Sequence, residues 1–210
     1  MNADGWDERY RTATTHRHGR VWSNDPQQVV QDLVRGLTPG SVLDVGAGDG
    51  RNSVFLALAG WEVTALDFSA EGIRLARARA EKEGAVATWV VADARGYAPG
   101  RQFDLVIATY LHLTQADTRE VLSAAATWVA PGGHLLVLGH DRANLETGAP
   151  GPSDPDILYT PELLSSCAVG LSIERCERVF RDGGSDPESP DDSAVTAVDT
   201  LLFAARPAAG

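Results

Sequence analysis

The chain has 210 residues, 43% of them hydrophobic and 22% charged, which is ordinary globular composition and excludes a disordered, collagenous or coiled-coil chain. Acidic residues outnumber basic ones 29 to 18, and the resulting formal charge of −11 repels nucleic acid and anionic membranes, so neither is expected as a partner. A chain of this length buries roughly 70% of its unfolded surface and needs no disulfide or structural metal. Cys167 and Cys176 have no metal-ligand spacing around them and are expected as reduced structural thiols, with no metal bound. Neither a leader pattern nor a run approaching roughly 18 apolar residues occurs, which predicts a cytoplasmic protein. Lys82 is the sole lysine, a bias that fits bacterial-like codon usage in a GC-rich genome.

Asp25 and Pro26 offer a cap and a first-turn proline to an amphipathic helix with apolar residues at 29, 30, 33, 34 and 37, broken by Thr38-Pro39-Gly40. Ser41 to Val45 follows as a short buried strand that runs into a glycine-rich turn. Asn52 to Ala59 reads as a helix closed by Gly60, and Trp61 to Leu66 as a strand ending at Asp67. Ser69 caps a helix that runs to about Glu83, with Gly84 behind it. Val86 to Val91 is a third strand, stopping at Asp93, and Phe103 to Thr109 a fourth. A helix from Thr114 to about Val129 stops at Pro131-Gly132-Gly133, and His134 to Leu138 is a fifth strand.

This alternation predicts an α/β, doubly wound, Rossmann-like parallel sheet with helices on both faces and ligands outside the carboxyl ends of its strands. From Asp141 the texture becomes irregular, with prolines at 150, 152 and 155, and residues 141–160 are expected as a substrate lid loop. Thr160-Pro161-Glu162 restarts a helix, and Leu171 to Phe180 and Ala194 to Ala204 read as strands joined by an acidic linker at 182–193. One domain covering residues 1–210 is expected.

The sharpest chemical feature is Asp44-Val45-Gly46-Ala47-Gly48-Asp49-Gly50, where glycines permit positive φ and close approach of a ligand to the backbone. A dinucleotide fingerprint would need a third glycine where Arg51 stands, which weakens a hydride-transfer reading. Asp67, 23 residues after Asp44, is placed to accept both hydrogen bonds of a ribose diol, and Asp93 to accept from an adenine amino group. A glycine turn followed by carboxylates ending both of the next strands points to a nucleoside.

With these residues the chain resembles the class I S-adenosylmethionine-dependent methyltransferases over roughly 20–205. The resemblance rests on Asp44-x-Gly46-x-Gly48-x-Gly50, Asp67, Ala92-Asp93-Ala94, Phe103-Asp104-Leu105-Val106 and Pro131-Gly132-Gly133. Gly50-Arg51-Asn52-Ser53, Gly60-Trp61-Glu62-Val63 and Trp6-Asp7-Glu8-Arg9-Tyr10 are similar to the small tellurite-resistance and thiopurine-type members. The His-Arg pair of the tellurite-resistance members is missing from 181–194, a departure that points away from tellurite.

The resemblance implies a seven-stranded sheet in order 3-2-1-4-5-7-6 with an antiparallel last strand, and S-adenosylmethionine as cofactor. It implies that Gly46 and Gly48 hold the methionine part, with Asp44 orienting the loop or reaching the amino group through water. Asp67 would take the ribose hydroxyls, Phe68 a face of the adenine, and Asp93 with the Ala94 amide its edge. Ala47 and Thr109 would complete the lining, and Arg51 would pair with the methionine carboxylate unless it is solvated. Residues 1–23, with Trp6, Arg9 and Tyr10, would form an N-terminal lid or a surface helix.

His112 and His140, just beyond the fourth and fifth strands, are the candidate catalytic residues, as base or as contact to a small-molecule acceptor; His16, His18 and His134 read as surface. Tyr159 either lines the pocket or anchors its loop in the core. An NAD(P)-dependent oxidoreductase and a non-catalytic module that senses a nucleoside cofactor remain the alternatives to methyl transfer.

Overall fold

The computed structural model describes residues 3–13, 25–149, 151–181 and 196–208; His16, His18 and the linker expected at 182–193 lie outside them. In chain order the elements are α1 (Ala3–Ala13), α2 (Gln28–Arg35), β1 (Ser41–Val45), α3 (Arg51–Leu58), β2 (Glu62–Asp67), α4 (Ala70–Glu83), β3 (Ala87–Val91) and β4 (Phe103–Thr109). There follow α5 (Gln115–Thr127), β5 (Val129–His140), α6 (Asn144–Thr147), a 3₁₀ turn (Pro155–Ile157), α7 (Pro161–Cys167), β6 (Ser172–Arg181) and β7 (Ala197–Ala205). The strands form a seven-stranded sheet in the order β3-β2-β1-β4-β5-β7-β6, with β7 antiparallel to both of its neighbours, as the resemblance implied. Among the described residues no helix is long and apolar enough to cross a membrane. The chain divides into two compact units, Met1–Ala94 and Arg95–Gly210.

In the first unit β1 is buried from Val42 to Val45 and pairs in parallel with β2, which pairs in parallel with β3. Such strands, covered on both faces, read as continuous apolar runs. The α4 helix spans its sequence signals: Ser69 Oγ accepts from Gly72 N at 2.9 Å, Gly84 closes the last turn in the left-handed region, and Ile73, Ala76 and Ala80 face inward. Against α4 lies α1, whose Trp6 and Tyr10 are buried with Phe68 and Leu75, while Asp7 Oδ1 accepts from Ser69 Oγ and, at 3.3 Å, from Glu71 N. The helix expected from Pro26 instead starts at Gln28 with Gln27 as N-cap, because Gln27 O accepts the first helical bonds and Gln31 Nε2 donates back to Pro26 O.

In the second unit β5 runs for 12 residues through Pro131-Gly132-Gly133, where a break before His134 was expected, and α5 ends earlier, at Thr127. Gly132 N donates to Arg206 O and Arg206 N to Gly133 O, so these turn-type residues sit in a bulge with the ladder continued around it. Residues 141–160 are also more ordered than expected. They hold α6 and the 3₁₀ turn, and Leu158 and Tyr159 are buried. Tyr159 Oη donates to Leu111 O at 2.7 Å, and a Cβ on Gly139 would stand 2.6 Å from Tyr159 Cε2, so Tyr159 anchors its segment in the core. His134 is no surface residue: it is half-buried and stacks on Phe203 with ring centroids 4.9 Å apart. Both cysteines are free thiols, and burial pushes both up in pKa.

Candidate functional site

In the first unit the loop after β1 is built from backbone. Gly46, Gly48 and Gly50 all have positive φ, and Gly46 N and Ala47 N both donate to Leu66 O, which ties the turn to the end of β2. Gly50 is N-cap of α3, and a Cβ there would lie 2.8 Å from Ala76 Cβ and 3.2 Å from Trp89 Cη2. Gly50 thus supplies a close approach of this turn to α4 and β3. Arg51 itself is buried at 8% exposure, so the solvated reading of it is corrected.

Two carboxylates flank this loop. Asp67 Oδ2 accepts from Gly48 N and Oδ1 from Ser69 N, both at 2.8 Å, which leaves each oxygen a further lone pair. Burial pushes its pKa up, against the lowering effect of these backbone donors. Asp44 is fully buried; Ser53 Oγ donates to its Oδ2 at 2.6 Å, while its Oδ1 has no hydrogen-bond partner. Burial raises its pKa to about 6, an effect tempered by Ser53 and by the Arg51 charge and increased by Asp67. Ala92 N donates to Asp67 O at 3.0 Å and so carries half-buried Asp93 and Ala94 to the end of β2, where half-buried Phe68 packs on the Trp6–Tyr10 pair. The cofactor residues read from the sequence within this unit therefore gather around one loop.

In the second unit, Thr109 is buried at the end of β4. His112 and His140 come together, their rings stacked at 5.7 Å and 8°. Around His140 stand residues that the sequence reading missed. Tyr110 Oη donates to Asp199 Oδ2 at 2.7 Å, Arg181 Nε donates to the same oxygen at 2.8 Å, and Arg181 Nη2 lies 3.2 Å from His140 Nδ1. Asp199 held the available signal: a carboxylate inside the apolar run Ala197–Ala205 is buried only when it is paired. Nearby, Asp141 accepts from Ala143 N, Arg178 Nε and Thr200 Oγ1, which ties β5, β6 and β7 together.

A family model described as "Methyltransferase domain" matches residues 42–133. Over these residues the chain is similar to methyltransferase domains. A 2-heptyl-1-hydroxyquinolin-4(1H)-one methyltransferase of Mycobacteroides abscessus is 30% identical over 145 residues, 65% of this chain and 64% of that one. A structure titled for conversion of a disulfide bond into a thioacetal group during echinomycin biosynthesis superposes with TM-score 0.76 at 25% identity, covering 98% of this chain and 91% of the other. The N-methyltransferase NodS of Bradyrhizobium japonicum, solved with S-adenosyl-L-homocysteine, superposes with TM-score 0.71 at 16% identity, covering 96% and 98%, and so shares the fold. The chain spans less than two thirds of the length of curated relatives that it matches, for example 42%, 64% and 46%.

The residues present fit S-adenosylmethionine, the cofactor that the resemblance implies. A fully buried carboxylate oxygen without a partner, Asp44 Oδ1, suits a cationic ammonium, and the glycine turn brings backbone rather than side chains to the ligand.

Proposed function

We propose that the protein is an S-adenosylmethionine-dependent methyltransferase that acts on a small-molecule acceptor. The observation that carries this reading is Asp44, a buried carboxylate with an open oxygen in a glycine turn that also engages Asp67. The cofactor supplies an electrophilic methyl group on a sulfonium. Asp44 pairs with its ammonium, Gly46, Ala47 and Gly48 line its methionine part, and Arg51 meets the carboxylate. Asp67 takes the ribose diol on its remaining lone pairs, Phe68 covers the adenine, and Asp93 with the Ala94 amide reads its edge. Thr109 completes the cofactor lining, and His112 and His140 serve the acceptor side. Positioning in line supplies most of the acceleration, with effective molarities of about 10⁵ M or more, and a base is needed only for a poorly acidic hydroxyl or a protonated amine.

The named substrate of the mycobacterial relative supports a small-molecule acceptor. The family match at 42–133 runs across the boundary at Ala94/Arg95, which supports one domain over 1–210. Within that domain, α1 and the described residues of 141–160 act as the segments that cover cofactor and acceptor, while 14–23 of the expected N-terminal lid lie outside the described residues.

Isothermal titration with S-adenosylmethionine, its demethylated product and NAD, on wild type and Asp67→Ala, tests the reading. Both sulfur compounds should bind, with roughly 10- to 150-fold loss in the variant, or about 1.5–3 kcal/mol. Preference for NAD, or no binding of the sulfur compounds, would sink it.

A further inference from the structure

We infer that Arg181, with Asp199 and Tyr110, holds His140 as its Nε2–H tautomer, so that His140 offers the acceptor a hydrogen-bond donor and not a base. A guanidinium has five N–H donors, no acceptor, and stays protonated. Arg181 Nη2 lies 3.2 Å from His140 Nδ1, so Nδ1 is the accepting nitrogen, and a neutral imidazole that accepts at Nδ1 carries its proton on Nε2. The competing partner, Asp199 Oδ1, stands 3.6 Å from the same Nδ1, beyond hydrogen-bond reach. Meanwhile Asp199 Oδ2 takes Tyr110 Oη and Arg181 Nε.

The guanidinium therefore bridges carboxylate and imidazole. With side-chain exposures of 9% for Arg181, 2% for Asp199 and 5% for His140, the arrangement is fixed by desolvation as well as by distance. Tyr110 reaches Asp199 from a backbone at φ 52, a conformation that bulky residues keep only where the surroundings impose it. Among the described residues, the groups facing His140 include Arg181 from β6, Asp199 from β7, and Tyr110 and His112 after β4. A second proton on His140 would meet the guanidinium.

Two consequences follow for the acceptor, and they rest on the methyltransferase reading. Its nucleophilic atom must carry a free lone pair without help from His140, as a thiolate, an ionised phenol or enol, or a neutral amine does. The atom that meets His140 is a lone-pair acceptor, such as a carbonyl or ionised hydroxyl oxygen.

The test is the ring ¹⁵N spectrum of the labelled full chain at neutral pH. The His140 resonances are assigned by His140→Asn or, should that variant not fold, by contacts to the Tyr110 ring. A pyridine-like Nδ1 with a pyrrole-like Nε2 is expected, and Arg181→Met should move the proton to Nδ1, toward Asp199. The reverse pattern in wild type, a doubly protonated ring, or a tautomer indifferent to Arg181→Met would each overturn the inference. Titration of S-adenosylmethionine into the same sample reads the functional proposal separately, since the tautomer is visible whether or not the cofactor binds.

Discussion

The loop after β1 and the cluster beyond β4 and β5 are held together in opposite ways. In the first, backbone does the holding: positive-φ glycines, N–H groups donated to Leu66 O, and a carboxylate, Asp67, accepting from Gly48 N. Asp67 lies only 19 residues from Gly48. In the second, side chains do it, and they come from far apart, with Tyr110 and Asp199 separated by 89 positions. A backbone site tolerates variation in the residues around it, whereas a side-chain site changes with each substitution. On the proposed function, that division suits a constant cofactor and a variable acceptor.

The sharpest way to break this comparison is Asp199→Ala. It leaves Arg181 buried without its carboxylate, and chemical denaturation should report a loss of about 3–5 kcal/mol. A loss below about 1 kcal/mol would mean that the second region is not held together by its charges. Gly50→Ala probes the first region. It forces φ 80 on a residue with a Cβ and drives that Cβ to 2.8 Å from Ala76, so about 2–3 kcal/mol should be lost. Gly84→Ala, with φ 74 but open space around it, should cost about 1 kcal/mol, and equal losses at the two sites would show that conformation alone matters.

Asp44 sharpens the comparison through pH. Its pKa is raised from 3.8 to about 6, so the folded chain binds a proton between those values that the unfolded chain has released. Stability from this group is therefore lost as pH rises from about 4 through 6, and Asp44→Asn should stabilise the ligand-free protein at pH 8 by about 1–3 kcal/mol relative to its effect at pH 4. Asp67 is shifted in the same direction, so the difference between variant and wild type, followed by urea titration, is the informative quantity. S-adenosylmethionine binding should weaken below pH 6 in wild type as Asp44 becomes neutral, and a flat profile would remove Asp44 from the ammonium site. The smallest effect is Tyr159→Phe, which strips one hydrogen bond from Leu111 O and should cost about 1 kcal/mol in thermal unfolding.

The same contrast explains what was legible in the sequence. The α4 helix was readable from cap to cap because Ser69 and Gly84 act locally, and β4 because its run from Phe103 to Thr109 is bounded on both sides. The bulge at Pro131-Gly132-Gly133 was not, since turn chemistry was overruled by a ladder to Arg206, 74 residues from Gly132. Asp44, Asp67 and the glycines stand out in the sequence because a loop held by backbone leaves a compact motif. His112 and His140 stand out as strand-end histidines, but Tyr110, Arg181 and Asp199 beside them lie on separate elements and meet only once the sheet is assembled.

The packing of α1 on α4 bears on how the chain is made. Trp6 and Tyr10 leave the ribosome early, yet Phe68 and Leu75, against which they are buried, are translated some sixty residues later. At 5–20 residues per second that interval is roughly 3–13 s, and an 11-residue helix is too short to hold its shape unaided. During that interval the two aromatics lack the cover of α4, and they are withdrawn from water only when it arrives.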